Sequence, residues 1–230
     1  MKVAIIPARG GSKRIPKKNI RFFCGKPMIA WSITAAKESG CFDQVLVSTD
    51  DADIADLAQE LGADIPFVRP AELADDFTGT NAVTAHAIRT LQQNGAVIEA
   101  ACCIYATAPF LTAQVIRDGE QLLNQHQDAA FVVTVTEFEF PIQRAVTLDA
   151  QGRLALREPQ HLTTRSQDLP ACYHDAGQLY WGRPKAFLDD LPVFAPHTLP
   201  LVLPKHRVQD IDTPDDWQRA ELMFKAQEHQ

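Results

Sequence analysis

The chain has no apolar run approaching the roughly 18 residues of a membrane span, so a transmembrane protein is excluded from the expectations. Its one early apolar stretch, within MKVAIIPARGG, gives way at once to basic and polar residues and is too short for the core of an export signal. Five cysteines (Cys24, Cys41, Cys102, Cys103 and Cys172) show no CxxC spacing and no histidine at zinc-site intervals. An odd count without an export signal reads as reduced thiols in a cytoplasmic protein. Neither GxxxxGK[ST] nor GxGxxG occurs, and Ser12, Ser32, Ser39, Ser48 and Ser166 lack a nucleophile-elbow context. No internal repeat, low-complexity tract or dividing linker is present, and 230 residues suffice for one α/β domain with a full core.

Acidic residues are absent from the first 26 positions, although the whole chain carries a net charge of −7. That segment holds Lys2, Arg9, Lys13, Arg14, Lys17, Lys18, Arg21 and Lys26. A strongly basic segment on an acidic protein points to a focused anion site; a nucleic-acid surface usually makes the whole domain basic. Charge alone leaves a solvated basic loop equally open.

Short apolar runs alternate with helical patterns. Lys2–Ala8, Gln44–Thr49, Ile65–Val68, Ala101–Ala106 and Ala129–Thr136 read as strands. Helices are expected from Pro27 to near Gly40, from Asp50 to Leu61, over Thr80–Gln93 and over Thr112–Asn124. This alternation predicts a doubly wound α/β sheet, Rossmann-like, with parallel strands at its centre and helices on both faces. From Glu137 to Pro170 the pattern degrades into polar residues, a Gln151-Gly152 turn and prolines. An inserted arm at about 137–170, serving dimer contacts or a lid, is the reading. Strand character returns at Gly177–Trp181 and Leu199–Leu203, and a last helix runs from about Pro214 to Ala226.

Chemistry concentrates in Pro7-Ala8-Arg9-Gly10-Gly11-Ser12-Lys13-Arg14-Ile15-Pro16-Lys17-Lys18-Asn19, directly after the first strand. In open α/β sheets ligands bind at the carboxyl ends of strands. Gly10 and Gly11 let the backbone approach a ligand and turn N–H groups inward, and Ser12 adds a hydroxyl. Arg9, Lys13, Arg14 and Lys18 complement a triphosphate.

In Asp210-Ile211-Asp212-Thr213-Pro214, extended backbone places Asp210 and Asp212 on one side. Mg2+ suits such a pair, filling its octahedron with waters and substrate phosphates. Thr213 fits a helix N-cap, Pro214 the first helical position, and Asp215 and Asp216 the positive end of the dipole. Spacing alone leaves Asp210 and Asp212 divided between metal binding and the same capping role. Ser48-Thr49-Asp50-Asp51 reads as a cap on the ligand edge. Tyr173-His174-Asp175 is a weak acid–base candidate, because adjacent strand residues face opposite ways. Trp31 and Trp217 read as core anchors.

The run IIPARGGSKRIPKKN resembles the signature of the acylneuraminate cytidylyltransferases, which make CMP-sialic acid and related CMP-sugars. VSTDDADIA, RPAELADD, the TAP at Thr107–Pro109 and QDIDTPDDW follow in that family's order, so the resemblance spans nearly the whole chain. FPIQRA at Phe140–Ala145 and YHDAGQLYWG at Tyr173–Gly182 look like its pseudaminic acid branch.

The resemblance implies the nucleotide-diphospho-sugar transferase fold, assembled as a homodimer through the irregular arm. It implies CTP and a nonulosonic acid as substrates, attack of the sugar's anomeric hydroxyl on the α-phosphorus, and loss of pyrophosphate. Arg9 and Lys18 match phosphate-handling positions, Asn19 and Arg69 cytidine-side positions, and Asp210 with Asp212 the metal pair for Mg2+, with Mn2+ as a substitute. On the sugar side the chain departs from the sialic-acid pattern. Tyr105 stands where glutamine precedes the PTSP turn, Gln143 with Arg144 stands at the lysine of HPLK, and His174–Gly177 replaces RPNG. Gln178 belongs to the same side, and Arg165 is the further candidate for the sugar carboxylate. The competing expectations are synthesis of CMP-N-acetylneuraminate, CMP-legionaminate or CMP-Kdo, or a catalytically silent nucleotide-binding regulator. A sugar-1-phosphate nucleotidyltransferase would open with a GxGxR-type loop, which is missing.

Overall fold

A computed structural model describes residues 1–228. In chain order it contains β1 (Lys2–Pro7), a short hairpin of β2 (Phe22–Phe23) and β3 (Lys26–Pro27), α1 (Met28–Ser39), β4 (Gln44–Ser48) and α2 (Ala52–Glu60). α3 (Thr80–Gln93), β5 (Ala100–Ile104), α4 (Ala113–Gln125) and β6 (Phe131–Glu137) follow. A second hairpin, β7 (Val146–Leu148) and β8 (Leu154–Leu156), precedes β9 (Tyr173–Gly182), α5 (Pro184–Leu188), β10 (Thr198–Val202) and α6 (Pro214–Glu228).

Six strands form the central sheet in the order β10-β6-β9-β5-β1-β4. β1 runs parallel to both β4 and β5, and β10 runs parallel to β6. The expected mostly parallel sheet is borne out, with one refinement: β9 is antiparallel to β5 and β6 and lies between them. Its direction follows from the connection. No crossover helix follows β6, so the excursion over 138–172 returns the chain beside the strand it left. The expected strand at Ile65–Val68 reduces to a single bridge, Leu46 to Asp64. Pro66 and Pro70 have no N–H to continue a ladder there.

Alternation along β1 sets the layers. Ala4 and Ile6 face a core shared with Ile29 and Ile33 of α1, Ala58 of α2, and Ile116 and Leu123 of α4. Val3 and Ile5 face the opposite core with Ile88 and Leu91 of α3 and Phe187 of α5. Helices therefore cover both faces. A third cluster joins Ile15, Phe23, Met28, Ile211, Trp217 and Ala220, with Trp31 partly buried against it. It bolts α6 to the β2–β3 hairpin and so brings the far end of the sequence to the loop after β1. The hairpin turn itself carries positive φ at Cys24 and Gly25, the backbone of a tight two-residue connection.

Chain order reverses at β1: the chain goes from β1 to β4 on one side, then back to β5 on the other. The carboxyl ends of β1 and β5 thus border a crevice at a topological switch point, the usual ligand position in such sheets.

Candidate active site

The loop after β1 is braced from within. Ile15 is fully buried, and Asn19, almost buried, donates its amide to the Arg9 carbonyl at 2.9 Å. The Ile29 N–H returns to the Asn19 carbonyl at 2.8 Å, so Asn19 ties the loop to the start of α1. Gly10 is required by packing, because a Cβ there would lie 2.5 Å from Asp51 Oδ2. The Gly10 N–H donates to Asp50 Oδ1 at 3.1 Å, so one inward amide already has an acceptor. Gly11 has open space around it, and Ala8 is buried in the core.

Arg9, Ser12, Lys13, Arg14 and Lys18 line a cavity of about 420 Å3 together with Asn19, Tyr105, Thr107 and Asp212. The loop's cations are met by carboxylates from elsewhere in the chain. Arg9 pairs with Asp76 at 2.6 Å and also reaches the Asp75 carbonyl at 2.9 Å. Lys13 pairs with the other oxygen of Asp76. Arg14 meets Asp212 at 3.0 Å, Lys17 meets Asp53 at 2.7 Å, and Lys18 meets the Ile211 carbonyl at 2.6 Å and Asp212 at 3.4 Å. Lys13 first and then Arg9 hold the Asp76 carboxyl below its ordinary range. Within RPAELADD nothing local marks Asp76 for a role; its charge opposite a wholly basic segment is the one signal the sequence offers.

Asp210 and Asp212 flank the fully buried Ile211, as the spacing predicts. Asp210 lines a larger cavity of about 970 Å3 and Asp212 the smaller one, so the pair borders both. Protein packed around Asp210 raises its carboxyl above the usual value, and repulsion from Asp212 adds to this, while Lys18 opposes it. The capping role falls to other residues: Asp216 accepts from Thr213 N at 2.8 Å and Asp212 N at 3.1 Å, and Thr213 Oγ1 accepts from Asp216 N at 3.2 Å. That reciprocal cap leaves both Asp210 and Asp212 side chains outside the helix terminus.

Arg69 is nearly buried; its Nε donates to Ser48 Oγ at 3.1 Å and its terminal amine to the Ser48 carbonyl. Burial lowers its pKa to about 10, which leaves it cationic at neutral pH. Asp51 caps α2 by accepting from Ile54 N at 3.0 Å, as the cap reading of Ser48–Asp51 expects.

Among the six residues assigned to the sugar side, Tyr105 lines the smaller cavity and His174 the larger. The others do not converge with them. Gln143 is buried at the base of the arm and donates to the Pro170 carbonyl at 3.1 Å. Gln178 is buried and donates to the Arg207 carbonyl at 2.6 Å. Arg144 and Arg165 are exposed on the excursion, bonded to Ser166 at 3.2 Å and Asp168 at 2.9 Å. His174 Nδ1 donates to the Asp175 carbonyl at 2.8 Å, and its ring meets Phe138 edge-on at 4.8 Å. The acid–base pairing of His174 with the Asp175 side chain is absent; that carboxylate turns to Tyr180. Phe138 and Phe140 line the larger cavity beside Lys205 and Arg219.

The switch-point crevice thus brings the basic loop to Asp212, while Arg69 lies against Ser48 at the end of β4 and lines neither cavity. Comparison with known proteins gives the family: residues 3–209 match the model for cytidylyltransferases, and the chain belongs to that family as a CTP-using nucleotidyltransferase. It is 44% identical over 224 residues to pseudaminic acid cytidylyltransferase of Campylobacter jejuni, covering 97% of this chain and 96% of that one. It is 32% identical to CMP-N,N'-diacetyllegionaminic acid synthase of Legionella pneumophila, covering 97% and 96%. It is 28% identical to N-acylneuraminate cytidylyltransferase of Escherichia coli, covering 95% of this chain and 51% of that one. The fold matches that of a CMP:2-keto-3-deoxy-manno-octonic acid synthetase solved with CTP, at a TM-score of 0.70 and 16% identity, covering 98% and 99%.

Proposed function

We propose that the chain transfers CMP from CTP to the anomeric hydroxyl of pseudaminic acid. The observation that carries this reading is the 44% identity, along nearly the full length of both chains, to an enzyme named for that sugar. Identity to the legionaminic and N-acylneuraminate enzymes falls to 32% and 28%.

In this reading Arg9, Lys13 and Lys18, with Ser12 and the backbone of Gly11, cradle the triphosphate, while the Ala8 and Gly10 N–H groups, bonded to the Ser48 carbonyl and Asp50, shape the loop behind it. Arg69 and Asn19 lie toward the cytidine. Asp210 and Asp212 fit a divalent cation: burial and the neighbouring Asp212 charge raise the cost of ionising Asp210, and a cation relieves it. Mg2+ is the first choice and Mn2+ the substitute, and the ion's contribution when bound is to offset phosphate charge. The sugar sits in the larger cavity with its anomeric oxygen toward the Asp210/Asp212 pair. That oxygen forms a bond to the α-phosphorus, and the bond to the β-phosphate bridge breaks, releasing pyrophosphate. Arg9 and Lys18 stabilise the charge that develops, because they are already positioned before reaction.

Phe138 and Phe140 give the sugar tail an apolar wall, which suits the methyl terminus of pseudaminic acid better than a glycerol hydroxyl. An unpaired hydroxyl there costs about 1–3 kcal/mol, or roughly 5- to 150-fold. The expected result is CTP-dependent pyrophosphate release at least about tenfold faster, by kcat/KM, with pseudaminic than with N-acetylneuraminic acid. Equal or reversed preference rejects the sugar assignment and leaves the family untouched.

Residues 1–230 form one catalytic unit in this proposal, and the arm at about 137–170 meets a second copy. The arm exposes Phe140, Leu148, Leu154 and Leu162, an apolar set that suits burial. Arg144 and Arg165, which line neither the phosphate-side nor the larger cavity, are the cations the arm offers to the sugar carboxylate of the copy opposite.

A further inference from the structure

Tyr105, Tyr180 and Asp175 form a hydrogen-bonded chain from one cavity to the other. Tyr105 lines the phosphate-side cavity and Asp175 the larger one. Between them the hydroxyls of Tyr105 and Tyr180 are 3.0 Å apart, and the Tyr180 hydroxyl donates to Asp175 Oδ2. Asp175 Oδ1 accepts from the Gly177 N–H at 2.8 Å, which fixes the carboxylate plane.

The strand is distorted to make this contact. Residues five apart on a regular strand face opposite sides. In β9, Tyr180 pairs with Val133 and Asp175 with Val135, so two steps along β6 correspond to five along β9. The irregularity, with φ of 60° at Gly177, returns Asp175 to the face of Tyr180.

The polarity of the chain follows from proton counting. A carboxylate only accepts, and a phenol has one proton. Burial, followed by the neighbouring Tyr105 and Asp175, pushes Tyr180 ionisation far above its ordinary value, so Tyr180 holds its proton and gives it to Asp175. Its lone pair then takes the Tyr105 proton. Tyr105, pushed by burial up to about 12, is also protonated and has only acceptor capacity left, toward Thr80 and toward whatever fills the cavity.

We propose that Asp175 and Tyr180 are positioning residues that lock the Tyr105 hydroxyl as an acceptor beside the phosphate-side cavity, making Tyr105 a specificity determinant for a hydrogen-bond donor, hydroxyl or amide, on the acidic sugar. The inference deepens the reading of this chain as a nonulosonic acid cytidylyltransferase and rests on it.

The test is steady-state kinetics of pyrophosphate release by the full chain and by Tyr105→Phe, Tyr180→Phe, the double variant and Asp175→Asn. Each is assayed with the nonulosonic acid the wild type prefers among pseudaminic, legionaminic and N-acetylneuraminic acids. The expected result is about a tenfold loss of kcat/KM for the sugar, the scale of one hydrogen bond in a desolvated site, with KM for CTP changed less than about twofold. The three Phe variants should show nearly equal losses, because removing either phenol breaks the same chain. A lowered melting temperature with unchanged kcat/KM for the sugar, or equal losses toward sugar and CTP, overturns the proposal. Wild-type preference for another of the three sugars rejects pseudaminic acid as substrate, while the variants still judge the tyrosine chain with the sugar preferred.

Discussion

At the scale of single residues, Asp210 and Asp212 differ in what holds them. Asp212 is met by Lys18 and Arg14, whereas at Asp210 burial and the charges of Asp212 and Asp175 outweigh Lys18 and raise the carboxyl. A carboxyl whose folded value is raised binds more protons in the folded state than in the unfolded chain. Stability from this group is therefore lost as pH rises from the unfolded value through the folded one. Asp210→Asn removes that loss, so its melting temperature at neutral pH should rise above wild type while turnover collapses. Asp212→Ala should keep the fold and lower turnover about 100-fold or more, the scale seen when one preorganised charge stabiliser is removed. Activity should vanish in EDTA and return with Mg2+. Full activity of either variant, or of wild type in EDTA, contradicts the metal assignment; thermal melts and pyrophosphate release are the measurements.

The loop after β1 is the element on which nucleotide binding turns, and its charges are compensated in advance. Asp76 sits on Arg9 and Lys13 where a phosphate would sit, so CTP has to displace a carboxylate. Arg9→Ala should raise KM for CTP or lower turnover with little change in melting temperature, since partly exposed ion pairs contribute about 0–1 kcal/mol. Lys18→Ala should do the same to CTP and also lower the melting temperature, because its amine holds the Ile211 carbonyl and so ties α6 to the loop. Asp76→Asn should act in the opposite direction and lower KM for CTP. If all three variants leave kcat/KM for CTP unchanged, the loop is a solvated turn and not a phosphate cradle.

For the whole molecule, the proposed dimer rests on the excursion between β6 and β9. It carries Leu148 and Leu154 on a two-stranded hairpin that touches no main sheet strand through hydrogen bonds. A pair of strands alone is marginal in water, so the hairpin needs a surface to pack on. Wild type should sediment as a dimer, and Leu148→Asp with Leu154→Asp should sediment as a monomer. Should the arm's arginines serve the opposite copy, the monomer should also lose sugar turnover while retaining CTP binding. A wild type that sediments as a monomer at micromolar concentration removes both the dimer and the arginine assignment.

Local pattern determined much of this protein. Apolar runs fixed most strands, cap residues such as Asp51 and Thr213 marked helix starts, and Asp210 and Asp212 flank a buried Ile211 because extended backbone has a period of two. The basic loop was legible for the same reason: glycines, charges and position after β1 lie within a dozen adjacent residues. What the sequence could not show were facts set by contacts between distant segments. The direction of β9 depends on where an irregular excursion returns. The meeting of Asp175 with Tyr180 depends on extra residues in one strand of a pair. The neutralisation of Arg9 by Asp76 joins positions 67 residues apart. Hydrophobic periodicity is a property of a segment, but register, strand direction and charge pairing are properties of two segments at once, and only packing both against a common core decides them.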